Sequence, residues 1–200
     1  MAGKVTTIDL LRHGEPVGGR RYRGQIDDPL SEQGWEQMWQ AVSGDRPWQA
    51  IISSPLRRCS EFAARLGEEL ELGVELDDRL KEVGFGDWEG QTGDQLRRHD
   101  KSILSRFYQD PIQNRPQDAE DLNDFKVRVL AAYSNACERF RGQHLLLVAH
   151  AGVIRTIINH TLQAPLSSMY RLSIATASLT RIRIDGEHPA TLIFMGKSQL

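Results

Sequence analysis

Cysteine is scarce: Cys59 and Cys137 are the only two in 200 residues, too few for a disulfide framework. Long apolar runs are missing as well. No stretch approaches the ~18 consecutive apolar residues of a membrane span. The opening residues, MAGKVTTIDLLRHG, lack the apolar core and small-residue cleavage site of a signal peptide. A soluble cytoplasmic protein is the expectation. Excess charge of one sign is absent too. The formal net charge is −2, so no global field exists to hold nucleic acid or an anionic membrane. Any anion site must be local. There is no HExxH and no His/Asp cluster, so neither a metal nor another cofactor is expected.

What remains is a globular balance, 40% hydrophobic and 26% charged, without repeats or low-complexity tracts. The length suits one domain over 1–200. Three short apolar runs stand out: Val5 to Leu11, Ala50 to Ser53, and Leu145 to Ala149. Each is continuous rather than alternating, which reads as a strand buried on both faces. Helical spacing follows each of them. Trp35, Met38, Trp39 and Val42 come after Ser31, and Cys59, Phe62, Ala63, Leu66 and Leu70 come after a Ser54-Pro55 cap. Leu122 to Phe140 and Val153 to Ile158 give two more apolar faces. Leu179–Ile184 and Ala190–Met195 flank Asp185-Gly186, a hairpin signal. The pattern predicts a three-layer α/β/α fold, with a mostly parallel central sheet and one antiparallel edge strand. The stretch 84–116 is the least regular and reads as an inserted small helical cap subdomain.

In open α/β sheets, ligands bind beyond the carboxyl ends of the strands. Arg12 and His13 follow the first strand, Arg57 and Arg58 follow the second, and His150 follows the third. Two imidazoles and at least two guanidiniums thus converge on one edge. Arginine forks match phosphate oxygens, and helix N-termini add backbone donors. The composite is a phosphate pocket holding two histidines. Metal binding is the competing reading, and arginines beside such a site repel a cation.

Four segments carry a resemblance. They are Leu11-Arg12-His13-Gly14-Glu15, Ser54-Pro55-Leu56-Arg57-Arg58-Cys59, Leu80 to Gly90 (LKEVGFGDWEG), and Val148 to Arg155 (VAHAGVIR). In this order they resemble the signature of the histidine phosphatase superfamily, the phosphoglycerate-mutase-like fold. The chain departs from the family pattern at Pro16, Phe62, Ala119-Glu120-Asp121 and Ala151, and no departure removes a reacting group. The resemblance implies a metal-independent phosphomonoesterase with a phosphohistidine intermediate. It makes His13 the nucleophile and Glu82 the proton donor, and aligns the catalytic arginine with Arg58 rather than Arg57. Arg12, Arg58 and His150 would stabilise the transferring phosphoryl group, with Ala151 adding a backbone N–H. An apolar setting by Phe85 and Trp88 is expected around Glu82.

The glycine-rich basic stretch 18–25 offers Arg23, Gly24 and Gln25 as substrate contacts, or else is a solvated mobile loop. Within the family, its sequence looks most like the α-ribazole phosphatase branch of cobalamin synthesis. Tyr22, Phe85, Trp88 and Phe107 are expected to offer stacking surface to an aromatic base. Alternatives are a broad-specificity or sugar-phosphate phosphatase, then a phosphoglycerate mutase or a silent phosphate-binding module. The expected partner is a small phosphorylated metabolite; monomer and homodimer stay open. His99, His144, His160 and His188 carry no motif.

Overall fold

The computed structural model describes residues 4–199. Among them, six strands form one sheet: β1 (Thr6–Arg12), β2 (Ala50–Ser53), β3 (Val74–Leu76), β4 (His144–Ala149), β5 (Leu179–Ile184) and β6 (Thr191–Lys197). Their order is β3-β2-β4-β1-β5-β6. Strands β3, β2, β4 and β1 run parallel. The β5–β6 hairpin closes the far edge, with β5 antiparallel to β1. The three apolar runs are the three strands at the middle of the parallel part. Strand β3 was not expected; it is three residues long and only half-buried, too brief to show a pattern.

Side chains on the central strands alternate between two cores. Ile8, Leu10, Leu145 and Leu147 pack with helices α5 (Leu122–Arg139) and α6 (Ala151–Thr161). Leu11, Leu146 and Val148 pack on the other face with α1 (Glu32–Ala41) and α2 (Arg57–Leu70). This is the three-layer arrangement the continuous apolar runs imply. Ser31 caps α1, its Oγ accepting the Gly34 N–H at 3.0 Å.

Helix α2 begins differently from expectation. It starts at Arg57, and Ser54-Pro55 lies ahead of it. The Arg57 N–H donates instead to Asp27 Oδ1 at 2.7 Å, a cap lent by a loop 30 residues upstream. The segment 84–116 holds α3 (Gly93–His99) and α4 (Ile103–Gln109). Trp88, Leu96, Leu104 and Phe107 form a separate apolar cluster there, with Tyr22, Phe85 and Tyr170 against it. No helix among the described residues is long and apolar enough to cross a membrane.

Candidate active site

The parallel strands deliver their ends to one cavity of about 550 Å³. Its floor is set by β1, whose last residue is Arg12 and whose successor is His13. Gly14 must follow. A Cβ there would stand 2.3 Å from the Gly34 carbonyl oxygen, and one on Gly34 would stand 2.0 Å from that of Glu15. The turn after β1 and the first turn of α1 therefore touch backbone to backbone.

His13 is 6% exposed and lies on the cavity wall. Its Nδ1 sits 2.7 Å from the Gly14 carbonyl oxygen. A carbonyl only accepts, so Nδ1 carries the proton and Nε2 the lone pair. Burial, then the charges of Arg12 and Arg58, hold this imidazole well below its usual range. The ring is a neutral base with a free nitrogen.

His150 directly follows β4 and is wholly buried, one layer behind the wall rather than on it as expected of a phosphoryl-binding residue. Its ring meets that of His13 edge-on, centroids 5.2 Å apart. Its Nε2 is 2.7 Å from Ser54 Oγ, the hydroxyl expected to cap α2. Cys59 Sγ lies 3.7 and 3.9 Å from the two ring nitrogens, packed on the ring rather than aimed at either. Burial and Arg58 also push the His150 imidazole well below its ordinary value.

The arginines separate cleanly. Arg57 is exposed and pairs with Glu61. Arg58 is 1% exposed and on the wall, donating to the Gly24 and Ile26 carbonyls at 2.8 and 2.7 Å. Arg12 donates to the Ile174 carbonyl. Burial pushes the Arg12 guanidinium down to about 10, opposed by Glu82 and reinforced by Arg155 and Arg58. The Nε groups of Arg12 and Arg58 are both buried without a protein acceptor.

Glu82 follows a short 3₁₀ turn and reaches the same wall. Its Oε1 and Oε2 accept from the Gly152 N–H at 3.1 and 3.2 Å, and Oε1 accepts from Val83 N–H at 3.0 Å. The apolar setting expected around this carboxyl is replaced by backbone donors at the start of α6. Phe85 is on the wall, but Trp88 is buried below it. Phe107 is likewise buried, leaving Tyr22 and Phe85 of the four proposed stacking residues.

Of the loop residues, Arg23 is on the wall, yet its guanidinium is engaged. Nε meets Asp28 at 2.9 Å, and one terminal nitrogen binds the Val17 and Gly19 carbonyls. It braces the loop. Gly24 is on the wall at φ +53°, where a Cβ would stand 1.9 Å from Glu89 Oε1. Gln25 is exposed and off the wall; its amide reaches back to the Glu82 carbonyl at 3.4 Å. Loop and cap are laced together where Tyr22 N–H meets the Gln91 carbonyl and Gly90 N–H meets that of Tyr22. A freely mobile loop is not what the structure shows.

Ala151 is on the wall, as is Pro16, which bridges to Leu30. The sequence reading missed Ser54 as a partner of His150, Gly152 as the seat of Glu82, and the wall residues Arg155 and Tyr170. Arg155 stood within the last motif, yet nothing local distinguished it from a surface arginine. Among the described residues, no group of three or more His, Cys, Asp or Glu could hold a metal ion.

Fold and site together define an α/β domain with a neutral histidine and two buried arginines on one cavity wall. The family model for the histidine phosphatase superfamily (branch 1) matches residues 8–194, and the chain belongs to that family as a histidine-phosphatase domain. The Bifunctional protein Rv2228c of Mycobacterium tuberculosis is 33% identical over 198 residues, covering 96% of this chain and 54% of that protein. The chain thus spans about half the length of that relative. Glucosyl-3-phosphoglycerate phosphatase of M. tuberculosis is 33% identical over 192 residues, with coverage of 90% and 86%. The crystal structure of the α-ribazole phosphatase from Shigella flexneri is similar at a TM-score of 0.82 and 26% identity, covering 97% and 98%.

Proposed function

We propose that this domain hydrolyses phosphate monoesters of small metabolites through a phosphohistidine on His13. The observation that carries the proposal is the fixed tautomer: Gly14 holds the proton on Nδ1, so Nε2 presents a lone pair on the wall that Arg12 and Arg58 also line. Nε2 attacks phosphorus while the ester P–O bond breaks, and Glu82 gives a proton to the departing alkoxide. Water then attacks the phosphohistidine, returning its proton to Glu82 and its oxygen to phosphate. Arg12 and Arg58 spread positive charge over the equatorial oxygens, where phosphoryl transfer most needs it. His150, against His13 and anchored by Ser54, holds the nucleophile's ring from behind. Guanidiniums supply the charge, so turnover is expected to survive EDTA.

Brief exposure to a ³²P-labelled monoester is the test. Acid-labile, base-stable label on the protein, absent from His13→Ala, is the expected result. Label and turnover retained in that variant would remove the nucleophile.

On substrate, α-ribazole 5′-phosphate has the support of the Shigella likeness and of Tyr22 and Phe85 on the wall. One observation favours a second reading, a monoester bearing a further acidic group: Arg155 adds a cation to the same wall. Comparing kcat/KM for α-ribazole 5′-phosphate and phosphoserine at one pH and salt separates the two. A tenfold preference for either decides.

A further inference from the structure

We infer that Arg155 is the specificity-determining residue of a second anion subsite, one that reads a carboxylate a few atoms from the phosphate. The inference rests on the phosphatase reading for its first subsite and goes beyond it for the second. Arg155 lies on α6, just beyond Ala151 and Gly152 at its N-terminus, and faces the same cavity as Arg12 and Arg58. Its Nε donates to the Leu172 carbonyl at 2.9 Å, and its guanidinium carbon sits 5.2 Å from the Tyr170 ring centroid. Those two contacts fix the plane of the fork. Among the described residues, both terminal nitrogens have no protein acceptor.

Of the other cations on the wall, two are engaged and one is exposed, and the Glu15 carboxylate stands on the same wall. Arg23 is tied to Asp28, and Arg21 donates to the Gly18 carbonyl. Arg20 is exposed, where solvent screens it. Glu82 is held by Gly152, and among the described residues Arg155 forms no ion pair. The closeness of the two cations is felt at Arg12, whose charged form Arg155 disfavours. A phosphate group answers Arg12 and Arg58 and leaves Arg155 over. A half-buried guanidinium, oriented and unpaired, suits the planar fork of a carboxylate better than a neutral sugar or base.

The test uses binding, so it stands apart from turnover. Dissociation constants for 3-phosphonopropionate and propylphosphonate are measured by calorimetry on the wild-type chain and on Arg155→Gln. The wild type is expected to favour the carboxylated ligand by at least about tenfold, the scale of one charge-assisted pair. Arg155→Gln should erase that preference and leave propylphosphonate within about twofold, since that ligand reports the first subsite alone. No preference in the wild type, or an undiminished one in Arg155→Gln, overturns the inference. If the glutamine variant loses both ligands because the 172–176 rim collapses, Arg155→Lys decides. A preference cut at least threefold with propylphosphonate unchanged supports the fork, and an undiminished preference overturns it. Failure of the phosphatase reading shows separately, as absent turnover of every monoester by a chain that still binds propylphosphonate.

Discussion

Glu82 and Gly152 fit one another atom for atom: both carboxylate oxygens accept the Gly152 N–H, and a Cβ at 152 would stand 2.3 Å from Oε1. The glycine therefore does two things. It seats the acid at the N-terminus of α6, where backbone donors and the helix dipole welcome a carboxylate. It also leaves the space the carboxylate fills.

Gly152→Ala should displace Glu82 while sparing the fold. The clashing atom is the far end of a flexible side chain, so the main adjustment is Glu82 swinging away. Turnover of an alkyl phosphate is expected to fall by about 10²-fold, the lower end for a lost general acid. Thermal stability should change little. Steady-state kinetics beside Glu82→Gln check this; wild-type turnover in Gly152→Ala would show that the seat does not matter.

The buried histidines set a pH dependence. His13 and His150 are both held well below the ordinary imidazole value, by burial first and then by neighbouring arginines for both rings. In the unfolded chain they titrate near ~6.5. As pH falls through that value the unfolded state takes up protons that the folded state refuses, so stability is present above it and is lost below it. The slope is about 1.4 kcal/mol per pH unit for each histidine. Urea midpoints between pH 7.5 and 5 should fall accordingly, and less steeply in His13→Gln. Phosphohistidine formation, by contrast, should not lose rate with a midpoint near ~6.5, because the folded imidazole stays neutral there; such a midpoint in pre-steady-state bursts contradicts the environment described for His13.

Cys59 and Cys137 should be inert in the native protein. Burial pushes the first thiol up to about 12 and the second to about 11, so neither supplies thiolate near neutrality. Reaction with a disulfide reagent at pH 8 is expected only after denaturant is added. Rapid labelling of the native chain would contradict the burial of Cys59 and the raised thiol of the half-buried Cys137.

How far the site could be read in advance depends on how local each signal is. Arg12, His13 and His150 were legible because continuous apolar runs stop at them, and a strand's end is where an open sheet presents ligands. Arg58 stood out from Arg57 only through resemblance, as did Glu82. Ser54 read as a helix cap because capping is local chemistry; its Oγ does accept the Leu56 N–H at 3.3 Å just ahead of α2, but its shorter contact is with His150, 96 positions away. The cap of α2 came instead from Asp27, which no periodicity could signal. Trp88 and Phe107 were expected beside the ligand and instead form the small core under it, since aromatic residues look alike in sequence whether they line a cavity or support one. Arg155 was hidden by its own helix: an arginine among Val153, Ile154 and Ile157 reads as the solvated face until the cavity wall is seen.

Asp9 is a carboxylate on β1 with no exposed surface. Burial alone would raise it. Arg181, at 2.7 and 2.9 Å, His144 at 2.9 Å and Trp48 at 2.8 Å outweigh that and hold it below its ordinary value. Breaking a buried ion pair from one side leaves the partners' charge and donors stranded, at a cost of about 3–5 kcal/mol. Asp9→Leu should sit at the low end of that range, because Arg181 is 25% exposed and can turn to water. Replacing the two ionisable partners as well, in Asp9→Leu/His144→Leu/Arg181→Met, should recover much of the loss, with only the Trp48 N–H left unpaired, since well-packed apolar groups often match a buried ionic cluster. Activity per folded molecule should hold in both variants, as neither Asp9 nor its partners reach the cavity wall. Chemical denaturation measures the first two expectations and active-site titration the third. If the triple variant is as unstable as the single one, the network contributes net stability of its own and the penalty is not that of stranded partners.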